Sequence, residues 1–254
     1  MQYFFKHACL AVAMIVLGAC ARASTLAPLT LLTEEYAPYN WTQQSGQLTG
    51  ISTDIVNTLM QRARMPMLGP KVVPWARAIA LTAVQDRTCV YTAARTPERE
   101  ALFQWVGPIA NLEWVLFARA ADKVHLPNLA AAKPLRIGTY IGNASVALLR
   151  TQGLTIDETS SDKYNPVKLN LGRIDLWAVG KVPGILMLRQ SKMAGIEPVY
   201  TISKTDMYLA CNAELDRSVV AHLNKVLREM YADHTIAGIY ARYGFAGETP
   251  VLAD

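Results

Sequence analysis

The sequence has little charge, no low-complexity tract and no internal repeat. Charged residues make up 18% of the 254 positions and hydrophobic residues 52%. This balance excludes a disordered chain and suits a globular protein of one or two domains. No Lys/Arg-rich run is present, and the net charge of +5 is too small to indicate nucleic-acid binding.

Motifs for metals and phosphates are also missing. The histidines, His7, His125, His222 and His234, have no cysteine or carboxylate at a spacing typical of metal ligands. Glycine-rich phosphate-binding loops are absent as well. We therefore expect neither a metal nor a cofactor.

Only one apolar run is followed by small residues in the manner of an export signal. It extends from Ala8 to Gly18 behind Lys6, about half the ~20 residues that a membrane-spanning helix requires, and no other segment is long enough. We predict a cleaved signal over residues 1–23, whose loss would remove two basic residues and leave a net charge of +3.

Two cleavage sites remain open. Ala21-Arg22-Ala23 suits the general signal peptidase, whereas Leu17-Gly18-Ala19-Cys20 resembles a bacterial lipobox that would leave Cys20 lipid-anchored. The mature chain is therefore expected in the periplasm, either free or tethered by lipid.

Cysteine is scarce, since two of the four cysteines, Cys9 and Cys20, lie in the signal region. Cys89 and Cys211 remain, each in a strand-like run, and an oxidising compartment favours a disulfide between them. Such a bond requires neighbouring strands. Two buried free thiols are the alternative.

Strand-like and helix-like segments alternate along the rest of the chain, which predicts a mostly parallel, layered α/β sheet. The loop-like segment ADKVHLPNLAAAKP divides them into two series, and YNPVKLNLG is interpreted as a connector. The predicted strands are LTLLT, KVV, TCVYTAA, WVLFARA, LRIGTY, RIDLWAV and MYLACN. The predicted helices are STDIVNTLMQRARM, PWARAIALTAV, TPEREALFQW, NASVALLRTQG and DRSVVAHLNKVLREMYAD.

Three helix starts carry capping residues. Ser52 or Thr53 is expected to cap the first helix, Thr96 the helix that begins at Pro97, and Asp216 the last long helix.

Five motifs occur in a family-like order: EYAPYN, GISTDIV, TPER, FQWVGPI and GRID. From Leu29 to Gly244 the sequence thereby resembles the family 3 extracellular solute-binding proteins, the periplasmic receptors of ABC importers for polar amino acids. The resemblance implies an α/β fold of the two-lobed periplasmic-binding-protein type (type II) with two hinge crossovers, closing on a small ligand. It implies a first lobe at residues 24–118 and 209–254 and a second at 119–208, with the strands of both late cysteines in the first.

The arginines of RTPER differ in their expected roles. A cation in a first helical turn opposes the helix dipole by roughly 0.3–1 kcal/mol, so Arg99 reaches water, pairs with Glu98 or Glu100, or meets an anion. The resemblance implies that Arg99 holds the α-carboxylate of the ligand through its bidentate fork. Arg95 matches no ligand position of the family, and we expect it to pair with Glu98.

The resemblance implies further contacts on both sides of the cleft. Tyr36 and Trp75 would sandwich the ligand side chain, although isolated aromatics usually belong to the core. Arg77 faces either the cleft or water. The remaining residues at family ligand positions are Thr92, Ala94, Gly142, Asn143, Ala144 and Ser145.

The clearest departure from the family follows GRID. Members specific for α-amino acids have an aspartate five residues later that pairs with the ligand ammonium, and here Gly180 stands in its place. Either an acid elsewhere supplies the charge or the ligand lacks a free α-ammonium. The candidate acids are Glu34, Glu35 and Glu113.

These features together predict a monomeric, non-catalytic receptor that delivers a small carboxylate-bearing solute to an ABC permease. A sensor that signals through a membrane partner is the main alternative. An enzyme similar to the cyclohexadienyl dehydratases would require an acid/base carboxylate in the cleft, and its absence from VGKVPG argues against that class.

Overall fold

The computed structural model describes residues 27–251. The predicted signal, with Cys20 and both cleavage sites, lies outside these residues. The strands are β1 (Leu29–Thr33), β2 (Trp41–Thr42), β3 (Leu48–Thr49), β4 (Met67–Val72), β5 (Thr88–Ala94), β6 (Phe103–Arg119), β7 (Arg136–Tyr140), β8 (Thr155–Thr159), β9 (Leu176–Gly180) and β10 (Ile196–Asn212). The α-helices are α1 (Ile51–Arg62), α2 (Trp75–Val84), α3 (Ser145–Thr151), α4 (Asn165–Asn170), α5 (Lys181–Gln190), α6 (Arg217–Ala232) and α7 (Thr235–Arg242). Short 3-10 helices cover Pro97–Leu102, Ala120–Asp122, Leu129–Ala132 and Asp162–Tyr164.

Eight strands form one sheet in the order β4-β1-β5-β10-β6-β9-β7-β8, and β2 pairs only with β3. β1 is parallel to β4 and β5 at one end of the sheet, and β7 is parallel to β8 and β9 at the other. The two central strands, β6 and β10, run antiparallel to each other along their whole length. The mixed α/β class predicted from the alternating pattern is confirmed.

The central strands connect two lobes. β10 pairs with β5 only from Met207 onward, whereas β6 pairs with β9 only from Trp114 onward. Both strands therefore pass from one lobe to the other, which confirms the two-lobed fold with two crossovers. The pairings change a few residues before the boundaries at 118/119 and 208/209, and those boundaries stay predictions.

Each lobe has its own core on both faces of the sheet. In the first lobe, α1, α6 and α7 cover one face and α2 the other; fully buried residues there include Ile55, Leu223 and Val90. In the second lobe, Leu149 and Trp177 belong to separate buried clusters. Burial of apolar area is the main stabilising term in such cores, so each lobe has a hydrophobic core of its own.

A disulfide joins Cys89 to Cys211. The two residues face each other across β5 and β10 in register, and both are fully buried. This confirms the predicted pairing and excludes the alternative of two free thiols.

The helix starts differ from the predictions in two of three cases. α1 begins after Gly50, and Ser52 and Thr53 are buried within its first turn without capping it. Pro97–Leu102 is a 3-10 helix, and the Thr96 side chain makes no capping hydrogen bond. α6 follows the prediction, since the Asp216 carboxylate accepts a 2.8 Å hydrogen bond from the Ser218 amide.

Three elements of the second lobe escaped prediction. β8 was not anticipated because its sequence, TIDET, is mostly polar, and α4 forms within the supposed connector YNPVKLNLG. α5 follows β9, where no helix was predicted. Among the described residues, none of the helices combines the length and apolar character needed to cross a membrane.

Candidate functional site

The cleft is built from the carboxyl ends of parallel strands in both lobes. Glu34 follows β1, and Arg99 lies in the 3-10 helix after β5. From the opposite lobe, Tyr140 ends β7, Asp162 follows β8 and Gly180 ends β9. Ligands bind at this edge in open α/β sheets, because side chains after the strand ends converge there.

Arg99 reaches across the cleft. Its Nη2 donates a 2.7 Å hydrogen bond to the Gly142 carbonyl of the second lobe, and its Nη1 donates to the Ala94 carbonyl at 3.2 Å. The guanidinium carbon lies 5.8 Å from the centroid of the Trp75 ring. Burial lowers the pKa of Arg99, and no ion pair among the described residues includes it.

Trp75 makes the second contact with the same carbonyl. Its Nε1 donates a 2.9 Å hydrogen bond to Gly142 O. Gly142 has φ +82°, and a Cβ there would lie 3.2 Å from the Trp75 ring. Glycine thus fits both the left-handed backbone and the close approach of the indole.

Tyr36 fills the space beside Gly180. A Cβ at Gly180 would lie 2.5 Å from the Tyr36 hydroxyl oxygen and 2.7 Å from a Leu112 methyl carbon. The family's aspartate therefore has no room at this position while Tyr36 stays where it is. Burial raises the pKa of Tyr36 above its ordinary value.

Two acids line the cleft instead. The Tyr140 hydroxyl donates to the Glu34 carboxylate at 3.4 Å, and Asp162 Oδ1 accepts 2.8 Å hydrogen bonds from Trp177 Nε1 and Asn165 Nδ2. Burial, and next the charge of Asp162, raise the pKa of Glu34 to about 8. Burial raises the pKa of Asp162 to about 6.

The three acids proposed from the sequence differ in their positions relative to the cleft. The Glu113 carboxylate accepts a hydrogen bond from the Thr201 hydroxyl and pairs with Lys181. Glu113 lines none of the three cavities that are described in the next paragraphs. Glu35 is exposed and accepts a hydrogen bond from the Thr42 amide. Only Glu34 combines partial burial with a place in the cleft.

Two adjoining cavities occupy the cleft. The narrow one, about 10 Å³, surrounds Arg99, and the larger one, about 580 Å³, extends outward and includes Asp162. Both are lined by Glu34, Tyr36, Trp75 and Tyr140. The larger cavity falls in the size range of small-molecule sites.

Several other predicted residues lie at or near the narrow cavity. Thr92, Ala94 and Ala144 line it, and Thr92 Oγ1 donates a 2.6 Å hydrogen bond to Asn40. Thr92 has φ +63°, a backbone conformation that is unusual for a β-branched residue and tends to occur at functional sites.

The structure does not bring Asn143, Ser145 or Arg77 to either of these cavities. Asn143 Oδ1 accepts from both the amide and the hydroxyl of Ser145 at 2.8 Å, which holds the start of α3. Ser145 lines a separate cavity of about 330 Å³ behind Ala144. Arg77 is exposed on α2. Arg95 pairs with Glu100 at 2.5 Å rather than with Glu98.

The lining residues that sequence reasoning missed include Trp114, Tyr140, Asp162 and Met207. Asp162 carried a usable signal, because an acid within three residues of the end of a parallel strand lies near the ligand edge of the sheet. That signal could be used only if β8 was predicted, and the polar sequence of β8 did not indicate a strand. The argument against an enzyme, that the cleft lacks a carboxylate, is not supported, since Glu34 and Asp162 are present.

The comparison with family models identifies the class of protein. The model of the bacterial extracellular solute-binding proteins, family 3, matches residues 29–246. The chain therefore belongs to that family of binding proteins. A search of the curated proteins found no match.

Solved structures with similar folds include amino-acid-binding proteins and a sensor. A histidine kinase sensor domain similar to periplasmic binding proteins matches with a TM-score of 0.79 and 16% identity, covering 86% of this chain and 96% of that one. An ancestral arginine-binding protein bound to arginine gives 0.76 and 17%, with coverage of 86% and 99%. A substrate-binding protein of an ABC uptake transporter from Streptococcus pneumoniae with bound histidine gives 0.76 and 13%, with coverage of 89% and 95%.

Proposed function

We propose that the protein is an exported receptor that captures a small solute bearing a carboxylate, an amino acid or a derivative of one, and delivers it to an ABC permease. The observation that carries the proposal is the position of Arg99, which projects into the cleft and donates to backbone carbonyls of both lobes.

A carboxylate is the natural partner for this arginine. A planar guanidinium offers two parallel donors that match the two oxygens of a carboxylate, and charge-assisted pairs of this kind are stronger than bonds to neutral carbonyls. Burial disfavours the charged form of Arg99, so an anion would gain more here than at the surface. The Trp75 ring keeps the fork in place from one side.

Membership of the solute-binding family and the folds of amino-acid-binding neighbours support the choice of ligand class. The export signal expected over residues 1–23 supports a periplasmic location, with the mature chain free or attached through Cys20. We propose an ABC permease as the partner and a monomeric receptor.

A sensor role is the second candidate. The specific observation in its favour is the fold similarity to a histidine kinase sensor domain, at a TM-score of 0.79. In that case the closed, ligand-bound lobes would present a surface to a membrane-bound partner instead of a permease.

Direct binding measurements test the proposal. A thermal-shift screen of amino acids, their derivatives and other organic acids finds the ligand, because a solute that binds only the folded state raises the melting temperature. Calorimetry with that ligand should then show that Arg99→Ala weakens affinity more than about tenfold, or about 1.4 kcal/mol. Arg77→Ala is the matched control, because Arg77 is exposed and outside the cavities. Equal affinities of Arg99→Ala and the natural protein would contradict the proposal.

A second experiment distinguishes import from sensing as the role of the ligand-bound receptor. Loss of solute uptake in cells lacking the protein, with the bound solute recovered unchanged from the purified receptor, supports import. Uptake that persists while a transcriptional response is lost supports the sensor. Conversion of the solute by the purified protein would contradict a pure binding role.

A further inference from the structure

We propose that Glu34 and Asp162, one from each lobe, form a cation-binding subsite in the larger cavity that takes a positively charged nitrogen group on the side chain of the solute. This inference rests on the proposed function and deepens it, because the solute would carry both a carboxylate for Arg99 and a cation for the two acids.

Asp162 is the main observation. Only 9% of the residue is exposed, and its Oδ1 is occupied by Trp177 and Asn165. Its Oδ2 is buried and has no hydrogen-bond partner among the described residues, although the residue lines the cavity. A buried carboxylate oxygen without a partner is costly. An ammonium or guanidinium group entering from the cavity would supply the missing donor.

Glu34 approaches the same region from the first lobe. It lines both cavities, and the charge of Asp162 is the second largest cause of its raised pKa. Two carboxylates that repel each other across a cleft favour a cation between them. The cation would therefore stabilise the closed arrangement of the lobes, because each lobe contributes one of the acids.

Glu34 also lies between the proposed carboxylate site at Arg99 and the proposed cation site. The charge of Arg99 lowers the pKa of Glu34, though less than burial raises it. The narrow and large cavities share four lining residues, so the proposed carboxylate position at Arg99 adjoins the larger cavity that would hold the rest of the solute.

Aromatic rings complete the subsite. Tyr36, Trp75 and Tyr140 line the larger cavity, and aromatic faces attract organic cations through their quadrupole. The Tyr36 hydroxyl lies against the backbone of Gly180, so Tyr36 offers its ring to the cation.

The other charges around the cavity leave it acidic. Glu35 lines it and is exposed, and Lys163 is the other charged lining residue. The Lys163 ammonium lies 5.1 Å from the centroid of the Tyr164 ring, a residue outside the lining set. Three acids and one base thus line this cavity.

Protonation supports the same assignment. With the pKa of Glu34 raised to about 8 and that of Asp162 to about 6, the folded protein holds a proton on the pair near neutral pH. The groups that face the pair are Tyr36, Tyr140 and Arg99, with Glu35 and Lys163 at the cavity wall. A cationic solute replaces that proton, so its binding should release protons and become tighter as the pH rises from about 6 to about 8.

The test uses pairs of solutes that differ in one charge. Affinities are measured by calorimetry for L-arginine against its neutral isostere L-citrulline and for L-lysine against L-norleucine. Agmatine, which keeps the guanidinium of arginine and lacks the carboxylate, tests the Arg99 end. The proteins are the natural chain, Asp162→Asn, Glu34→Gln and Arg99→Ala, with Glu113→Gln as a control acid that lines none of these cavities.

We expect at least one cationic member to bind the natural chain more than about tenfold tighter than its neutral partner. Asp162→Asn and Glu34→Gln should each reduce this preference to within about threefold while Glu113→Gln preserves it. Calorimetry in buffers of different ionisation enthalpy should detect proton release that the two acid variants lose. Circular dichroism confirms that each variant is folded, and Glu34→Gln carries the test if Asp162→Asn is not.

The outcomes separate the two proposals. Neutral members that bind as tightly as cationic ones, or a preference that survives both acid variants, overturn the subsite. Loss of affinity in Arg99→Ala with no effect of the acid variants overturns the subsite alone. Binding that is unchanged in Arg99→Ala overturns the proposed function. If no cationic member binds while neutral or anionic carboxylates do, the subsite is overturned and the receptor function stands.

Discussion

The hydroxyl of Tyr36 occupies the space that a side chain at Gly180 would need, at 2.5 Å from the position of its Cβ. These residues come from opposite lobes, so the contact belongs to the closed cleft. It explains why the family's aspartate is absent from β9 without implying that the cleft lacks acids. Glu34 and Asp162 line the cleft from the two lobes.

A double-mutant cycle tests the contact between Tyr36 and Gly180. Gly180→Ala should destabilise the protein by about 1–3 kcal/mol, because overpacking forces its neighbours to move. In a Tyr36→Phe background the hydroxyl is gone, so the same substitution should cost at least about 0.5 kcal/mol less. Urea unfolding of the four proteins gives the coupling energy. Additive effects would show that the hydroxyl does not exclude the side chain.

The pH dependence of stability follows from the two acids. Both carboxyls have a higher pKa in the folded chain than in the unfolded one, from 4.5 to about 8 for Glu34 and from 3.8 to about 6 for Asp162. The folded state therefore keeps protons that the unfolded state releases. The free energy of unfolding falls as the pH rises from about 4 to about 8, between the unfolded and folded pKa values of the two acids.

Replacing both acids should flatten this dependence. Between about pH 5 and about pH 8, the free energy of unfolding of Glu34→Gln/Asp162→Asn should rise by about 3–5 kcal/mol relative to that of the natural chain. Urea unfolding across this range provides the measurement, with Glu113→Gln as the control. A parallel pH profile for the double variant and the natural chain would rule out the raised pKa values.

The disulfide should contribute strongly to stability. Cys89 and Cys211 close a loop across a sequence separation of 122 residues, for which the chain-entropy account gives about 4 to 5 kcal/mol. Cys89→Ala/Cys211→Ala should lower the free energy of unfolding by an amount of this order. Reductant during denaturant unfolding should affect the natural chain and leave the variant unchanged. A loss below about 1 kcal/mol would contradict a cross-link in the native protein.

The start of α6 provides a local test. The Asp216 carboxylate accepts from the Ser218 amide, so Asp216→Ala should cost about 1 kcal/mol, whereas Asp216→Asn or Asp216→Ser should cost less because both side chains still cap. Thermal unfolding measures the series. Equal losses in all three variants would show that the cap is not the source of the stability.

Several local features were predicted correctly from the sequence, because they depend on neighbouring residues. The periodic apolar face of α6 and its Asp216 cap were readable directly, as were the alternating elements that specify an α/β sheet. The strand-like runs around Cys89 and Cys211 made a disulfide an open alternative, and the order of five motifs indicated the two-lobed family. Thr96 and Ser52 failed as caps because a residue's capping propensity does not determine how its chain turns into the helix.

The binding site depended on contacts between distant segments. By itself the sequence determined most of the helices and strands of the first lobe and that Arg99 follows β5 near the edge where ligands bind. Only the tertiary structure decided that Tyr36 fills the space beside Gly180, that Glu113 pairs with Lys181, and that Glu34 and Asp162 share one cleft. These relationships exist only when the carboxyl ends of strands from two lobes face each other, because short-range packing and burial act between residues that the chain itself keeps far apart.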